Sequence, residues 1–389
     1  LCAAHTCRHR PAWRLADVTL PGIVASVTEQ KIPSLDDIPV AVREELAQFL
    51  AGQRNAIAAI GQPVTNAISY LESFVLDGGK RIRPLYAWAG FVGARGLEGP
   101  ESPDAMLRAA SSLEFIQACA LIHDDIVDAS ETRRGNLTVH RGVAKRHHEL
   151  GLGGDSDFFG QSLAILIGDM ALVWAEDMLQ DSGLSPEALA RVRAPWRGMR
   201  REVIGGQMLD ISLEAEGSED AALADSVNRF KTAAYTIERP LHLGAAVAGA
   251  SDELIDAFRG YGHDIGIAFQ LRDDLLGVFG APAVTGKPAG DDLREGKRTV
   301  LLSLALQRAD ESDPAAAAEL RRLIGQTEDP HEIARMAEII AASGAPDVVE
   351  QRISDLTQSG LAHLYDAQVS PEVTETLEEL ARKSTARRM

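Results

Sequence analysis

The chain has 389 residues, 45% of them hydrophobic, which is enough to bury a large core and excludes a disordered or fibrous protein. Its 57 acidic and 39 basic residues give a net charge of −18, which argues against nucleic-acid binding, since that needs a basic face. The three cysteines, Cys2, Cys7 and Cys119, make no disulfide framework and suggest a reducing, cytoplasmic compartment, and no uninterrupted apolar run reaches membrane-spanning length.

Residues 1–37 differ in character from the rest of the chain. They are Arg-rich, carry no acid before Asp17, and place Cys2, His5, Cys7 and His9 at a spacing that matches no familiar zinc pattern. A disordered or non-native N-terminal segment is expected there, followed by one domain over 38–389. In that domain apolar residues recur at three- and four-residue spacing over 40–50, 64–76, 105–127, 161–179, 189–213, 222–248, 254–279, 301–306, 333–340 and 348–364. Breakers fall between them at Gly78-Gly79, Gly99-Pro100, 151–154, 183–186 and 281–290. No alternating strand pattern of useful length occurs, so a single all-α domain is expected.

Two stretches of these helices carry acids where apolar residues belong. In Leu121-Ile122-His123-Asp124-Asp125-Ile126-Val127-Asp128, Asp124 and Asp128 lie one turn apart on one helix face, about 5–6 Å between β-carbons. Like charges at that spacing repel, and apolar flanks keep them off a wholly wet face. A bound cation removes the conflict, and oxygen-only ligands suit Mg²⁺, which usually binds substrate phosphates as well. A solvated acidic turn is the competing reading. The second stretch, Phe269-Gln270-Leu271-Arg272-Asp273-Asp274-Leu275-Leu276-Gly277, again sets two acids into an apolar helix. Two such clusters suggest facing helices with carboxylates at one rim of a shared cavity.

Only seven of the basic residues are lysines, and four of them, Lys80, Lys231, Lys287 and Lys297, stand in short motifs with glycine, threonine or arginine. Lys80 and Arg83 follow Gly78-Gly79, Arg133-Arg134-Gly135 follows the first acids, and Lys231 precedes Thr232. Gly286-Lys287 and Gly296-Lys297 flank the loop after the second acids. Acids for a metal and cations for oxyanions together describe a diphosphate site.

The ordered set Gly78-Gly79-Lys80-Arg81-Ile82-Arg83-Pro84, Asp124-Asp125-x-x-Asp128, Arg133-Arg134-Gly135, Gly206-Gln207-x-x-Asp210, Lys231-Thr232, Phe269-Gln270-x-x-Asp273-Asp274 and Gly286-Lys287 through Gly296-Lys297 resembles the trans-isoprenyl diphosphate synthases, or polyprenyl synthetases, over roughly residues 40–385. The resemblance implies a single large bundle of long helices around a deep central cavity, in a homodimer. It implies Mg²⁺-dependent, head-to-tail condensation of isopentenyl diphosphate with dimethylallyl, geranyl or farnesyl diphosphate, with Mn²⁺ as a substitute metal. Asp124, Asp125, Asp128, Asp273 and Asp274 then resemble the metal-binding carboxylates. Lys80, Arg83, Gln117 and Arg134 resemble the isopentenyl diphosphate pocket. Arg133, Lys231, Thr232, Gln270, Lys287 and Lys297 resemble the allylic diphosphate contacts, with Lys231 and Arg133 acting beside Asp124, Asp128 and Asp273 in the reaction. The chain departs from the family pattern at Gly277, where a third aspartate is usual.

Chain length in this family is read from the helix leading into the first aspartates. Cys119 and Ala120 are small there, with Ile116, Ser112 and Phe115 deeper, so the expected product is geranylgeranyl diphosphate, C20, with longer or shorter chains as the alternative. A class I terpene cyclase would not need Lys80, Arg83 and Arg134. A non-catalytic partner subunit would have lost its aspartates.

Overall fold

Helix starts are marked by residues that satisfy the first free backbone donors. The side chains of Asp155, Ser185, Ser251 and Thr299 each accept the N–H three residues ahead, in Phe158, Ala188, Leu254 and Leu302. In the computed structural model, which describes residues 32–281, 289–367 and 369–385, residues from Pro33 onward form one compact unit. The expectations for residues 1–31 and for Lys287 lie outside the described residues; of the N-terminal segment, Leu35–Asp37 form a 3₁₀ turn leading into the first helix.

The order is α1 (Ile38–Ile60), α2 (Gln62–Leu76), α3 (Ile82–Gly93), α4 (Pro103–Ser111) and α5 (Leu113–Val127). A two-stranded antiparallel ribbon, β1 (Thr132–Arg133) and β2 (Asn136–Leu137), comes next, the one departure from helix among the described elements. Then come α6 (Val139–Glu149), α7 (Ser156–Gln180), α8 (Pro186–Glu216), α9 (Ala221–Val227), a π-helix (Asn228–Glu238), α10 (Arg239–Ala248) and α11 (Asp252–Phe279). The chain closes with α12 (Asp291–Glu295), α13 (Val300–Ser312), α14 (Pro314–Leu323), α15 (Pro330–Ala342), α16 (Ala345–Asp366) and α17 (Pro371–Thr385). The all-α architecture expected from the periodicity is the one found.

The core has three parts. Side chains of α1 to α8 and α10 make the largest, including Leu46, Leu71, Trp88, Phe115 and Trp174. The C-terminal half of α11 packs with α13 to α16 through Leu271, Leu275, Leu301 and Met336. Tyr86, Phe258, Tyr261 and Leu377 join α3 and α11 to α17. The first aspartates thus belong to one core and the second pair to another, with the π-helix packed against both α8 and α11.

The single helix expected over 222–248 is instead α9, the π-helix and α10. The interruption sits where neighbouring backbones touch. A β-carbon on Gly206 of α8 would lie 2.4 Å from the Lys231 backbone nitrogen, so only glycine lets the two helices approach this closely. The wider π turn falls on Lys231 and Thr232, two of the residues singled out by sequence.

Two stretches, Pro103–Val127 and Ser156–Gln180, are long and apolar enough to cross a membrane by length and composition. The first is divided at Ser112 and is largely core. The second, α7, carries Asp157, Asp169, Glu176 and Asp177 and leaves Phe158, Ile165, Leu166 and Val173 exposed.

Candidate active site

Helix α5 is buried along Phe115, Ile116, Ala118, Cys119 and Ile122 and ends at the first aspartates, with Asp128 as its C-cap residue. That end is anchored by cations. Arg133, on β1, donates from Nε to Asp125 Oδ1 at 2.7 Å, and its Nη2 stands 3.6 Å from Asp124 Oδ2. Lys231 Nζ lies 3.3 Å from Asp124 Oδ1 and donates to Asp210 Oδ2 at 2.5 Å. Burial alone would push the Lys231 ammonium down; Asp124 and Asp210 overcome this and hold it above its usual range. Burial, reinforced by Asp124, raises the Asp128 carboxyl to about 6. Burial and the nearby Asp210 and Asp128 raise Glu214, on α8, to about 7.

Asp273 and Asp274 stand on α11 at a cavity of about 360 Å³, lined also by Asp210, Asn228, Lys231, Thr232, Gln270, Gly277, Asp292 and Lys297. Gln270 ties the two helices together: its Oε1 accepts from Thr232 Oγ1 at 2.8 Å and its Nε2 donates to Asp274 Oδ1 at 2.9 Å. Burial pushes the Asp274 carboxyl up to about 8, with Asp292 and Asp273 adding to the rise against the hydrogen bond from Gln270. Lys297 Nζ is 2.8 Å from Glu295 and 3.8 Å from Asp292; these acids outweigh its burial and keep it charged. Lys231 and Lys297 both act on Asp128 and both line the cavity of Asp273 and Asp274, so the same two lysines stand beside both aspartate clusters.

A second basic group is built around backbone turns. Gly78 and Gly79 have φ of 94° and 91°, and Arg81 and Arg134 are also left-handed, at 52° and 53°. Arg81 is buried, paired at 2.5 Å with Glu114 of α5 and donating at 2.6 Å to the Val75 carbonyl. Arg83 lies 4.0 Å over the Tyr235 ring and donates to Thr236 Oγ1 at 2.9 Å. Arg134 stacks over Phe74, and a β-carbon on Gly79 would meet its guanidinium at 3.6 Å. Arg133, Arg81 and Arg83 each push on Arg134, which places these cations together. Lys80 is exposed beside them, and Gln117 is half-buried two turns before Asp124.

On α5, Ala120 and Gln117 share the stripe that ends at Asp124, at four and seven residues before it. Cys119 does not: its Sγ is 3.8 Å from His123 Nδ1, and the His123 ring in turn contacts the Ile165 carbonyl of α7 at 3.0 Å. Cys119 therefore faces α7, and of the two small residues only Ala120 lies in line with the carboxylates. Deeper on α5, Ser112 and Ile116 are buried. Phe115 packs with Phe49 and Trp174, with ring centroids 5.4–6.0 Å apart. Phe49 and Trp174 were not legible as partners of Phe115, because they come from α1 and α7. Asp210, Glu114, Arg81, Asn228 and Asp292 were also missed as site residues; for Asp210 the Gly206-Gln207-x-x-Asp210 spacing was the available signal.

The donor set suits a hard cation. Asp124 Oδ1, Asp125 Oδ2 and Asp274 Oδ2 are buried atoms without a hydrogen-bond partner; the Lys231 ammonium near Asp124 is an ion pair outside hydrogen-bond geometry. Among the described residues no three acids, histidines or cysteines stand close enough to hold a metal unaided. Mg²⁺ is commonly held in that way, by one or two carboxylates together with substrate phosphates.

Fold and site define a helical protein with two carboxylate clusters, Lys231 beside both of them, and a second group of cations around Arg134 next to the first. The polyprenyl synthetase pattern matches residues 64–342. A crystal structure of geranylgeranyl pyrophosphate synthase from Corynebacterium glutamicum, complexed with isoprenyl diphosphate and magnesium, is 64% identical, covers 92% of this chain and all of its own, and superimposes with a TM-score of 0.89. A geranylfarnesyl diphosphate synthase of Aeropyrum pernix is 37% identical over 71% of this chain and 79% of its own length. A (2E,6E)-farnesyl diphosphate synthase of Mycobacterium tuberculosis is 33% identical over 73% of this chain and 70% of its own. The chain belongs to the polyprenyl synthetase family and is a prenyltransferase.

Proposed function

We propose that this enzyme joins isopentenyl diphosphate to allylic diphosphates, dimethylallyl, geranyl and farnesyl in turn, and releases geranylgeranyl diphosphate. One observation carries the reading of the site: Lys231 contacts Asp124 of α5 while lining the cavity of Asp273 and Asp274 on α11. Arg133, Lys231, Thr232, Gln270, Lys287 and Lys297 hold the allylic diphosphate, and Lys80, Arg83, Gln117 and Arg134 hold isopentenyl diphosphate. Asp124, Asp128 and Asp273, supported by Asp125 and Asp274, hold Mg²⁺, for which Mn²⁺ substitutes. When bound, the metal supplies positive charge against the diphosphate oxygens.

The allylic C1–O bond breaks, and the diphosphate leaves with the electron pair under the fixed charges of Arg133 and Lys231. The isopentenyl double bond forms the new carbon–carbon bond at that C1, and a proton is lost to the departed diphosphate. Buried Ile116, Phe115 and Ile122 keep water from trapping the cation as an alcohol. The C20 length is supported by Ala120, small and in line with Asp124, one turn above buried Ile116 on the same stripe.

A homodimer is supported by apolar side chains exposed along α7, at Phe158, Leu166 and Val173, and along α8, at Ile204 and Met208. A cytoplasmic location is supported by the free, buried thiol of Cys119.

The test is incubation with labelled isopentenyl diphosphate, each allylic primer and Mg²⁺, followed by product chromatography. A dominant C20 product is expected. Dominant C15 or C25 would overturn the length, and no condensation with any primer would overturn the activity.

A further inference from the structure

Gly277 stands inside α11, three residues after Asp274 and four after Asp273, and so on their side of the helix. Glycine weakens a helix interior because it has the most backbone freedom to lose. What occupies its missing side chain's place is a carboxylate. A β-carbon on Gly277 would lie 1.9 Å from Asp292 Oδ2 and 2.3 Å from its Cγ, far inside van der Waals contact. Any side chain at 277 therefore excludes the Asp292 carboxylate from where it stands.

Asp292 is used differently from its neighbour. Asp291 is paired with Arg294 on the same short helix. Both line the cavity with Asp273, Asp274 and Asn228, but it is Asp292 that reaches the place of a Gly277 side chain, and its charge acts on Asp274. Asp274 and Asn228 are 2% and 5% exposed, and each leaves one buried atom, Oδ2 and Nδ2, outside hydrogen-bond geometry. The Asn228 amide is near enough to steady the Asp274 carboxyl, but it does not align with it. Bringing another carboxylate against a buried one is unfavourable, and doing so through a helix glycine is unfavourable again. Lys297 stands 3.8 Å from Asp292 but is itself held by Glu295 at 2.8 Å, so both choices make sense if further positive charge enters between the acids.

The geometry points to Asp292 as the carboxylate that completes the second aspartate cluster toward a divalent cation carrying a diphosphate, with Gly277 kept bare to admit it. This rests on the proposed function, which takes the cavity to hold a metal diphosphate. It also accounts for the absence of an acid at position 277: the charge arrives from α12 instead.

The test is calorimetric binding of inorganic pyrophosphate to the full chain, with Mg²⁺ and separately in EDTA, with thermal melting to confirm folding. If wild type binds no pyrophosphate in Mg²⁺, the proposed function fails, and this inference with it. Given wild-type binding, Asp292→Asn is expected to weaken the Mg²⁺-dependent affinity about tenfold, the scale for carboxylates that support a metal site. Its affinity in EDTA should be unchanged or slightly higher. An equal loss in EDTA would mean that Asp292 only positions Lys297 and would overturn the inference. Gly277→Ala should hold or raise the melting temperature, since alanine favours helix, yet still weaken Mg²⁺-dependent binding. Unchanged affinity in either folded variant would overturn it. Gly277→Asp combined with Asp292→Ala, which moves the carboxylate from one position to the other, should bind Mg²⁺-pyrophosphate better than Asp292→Asn; equal or weaker binding would count against the exchange.

Discussion

The ends of α5 and α11 present similar pairs of aspartates in different surroundings. At α5, Asp124 and Asp125 stand against two full positive charges, Lys231 and Arg133. At α11, the polar groups nearest Asp274 are the neutral amides of Gln270 and Asn228, and further acids press on it. Asp124 and Asp125 are thus paired with protein cations, whereas Asp274 meets neutral amides and further acids; burial holds Asp128 above the usual carboxylate range and Asp274 further above it. A metal diphosphate therefore changes the charge balance more at α11 than at α5.

The largest effect should come from breaking the α5 side. Asp124→Ala should lower turnover by about 10²–10³, the scale for losing a major electrostatic stabiliser, and EDTA should abolish turnover until Mg²⁺ is restored. The product assay measures both, and full activity of the variant would refute the role given to α5.

Next are the cations. Lys80→Ala and Arg134→Ala should raise KM for isopentenyl diphosphate roughly tenfold, the scale of one hydrogen bond to a charged group. Lys231→Ala should act on the allylic KM or on turnover. Steady-state kinetics with each substrate varied would separate these; an Arg134→Ala effect confined to the allylic substrate would exchange the two pockets.

A smaller effect sharpens the contrast between the two ends. The Asp274 carboxyl moves from an ordinary 3.8 to about 8 on folding. Between those values the unfolded chain has lost the proton and the folded chain keeps it, so stability falls as pH rises through that window and levels off above it. Melting in EDTA should drop by roughly 2–4 °C or more from pH 5 to pH 8, and Asp274→Asn should remove about half of that slope, because Asp128 and Glu214, raised to about 6 and about 7, titrate in the same window. A slope unchanged in the variant would assign it to other groups.

The smallest effect on rate should be Ala120→Phe. A ring at this half-buried position stands in line with Asp124 and would meet the growing chain one isoprene unit earlier. The product should shift from C20 toward C15 with the first condensation nearly unchanged, read by chromatography at matched conversion. An unchanged C20 profile from a folded protein would place the growing chain along another wall.

Much of this was legible in order along the chain. Helical period identified nearly every long element, and acids interrupting apolar helices marked Asp124, Asp128, Asp273 and Asp274, because burial of such residues demands a counter-charge. The spacing of glycines and cations picked out Lys80, Arg83, Arg134, Lys231 and Lys297 for the same reason. These are local facts: a helix face or a turn is set by residues within a few positions of one another.

What came only from the tertiary structure depends on groups far apart in sequence. The π turn under Lys231 follows from its contact with Gly206, and the orientation of Cys119 toward His123 follows from the packing of α5 on α7. The aromatic cluster of Phe49, Phe115 and Trp174 draws on three helices, and the lysine that stands beside both aspartate clusters needs α5, α11 and the π-helix in place. Gly277 reads from sequence as a lost acid; only the approach of Asp292 across the cavity shows that the space is filled. Sequence determined which residues carry charge into apolar helices, because desolvation penalises charge wherever it is buried. Tertiary packing decided which of those charges meet, because distances of about 3 Å between side chains are set by how helices pack and not by their spacing along the chain.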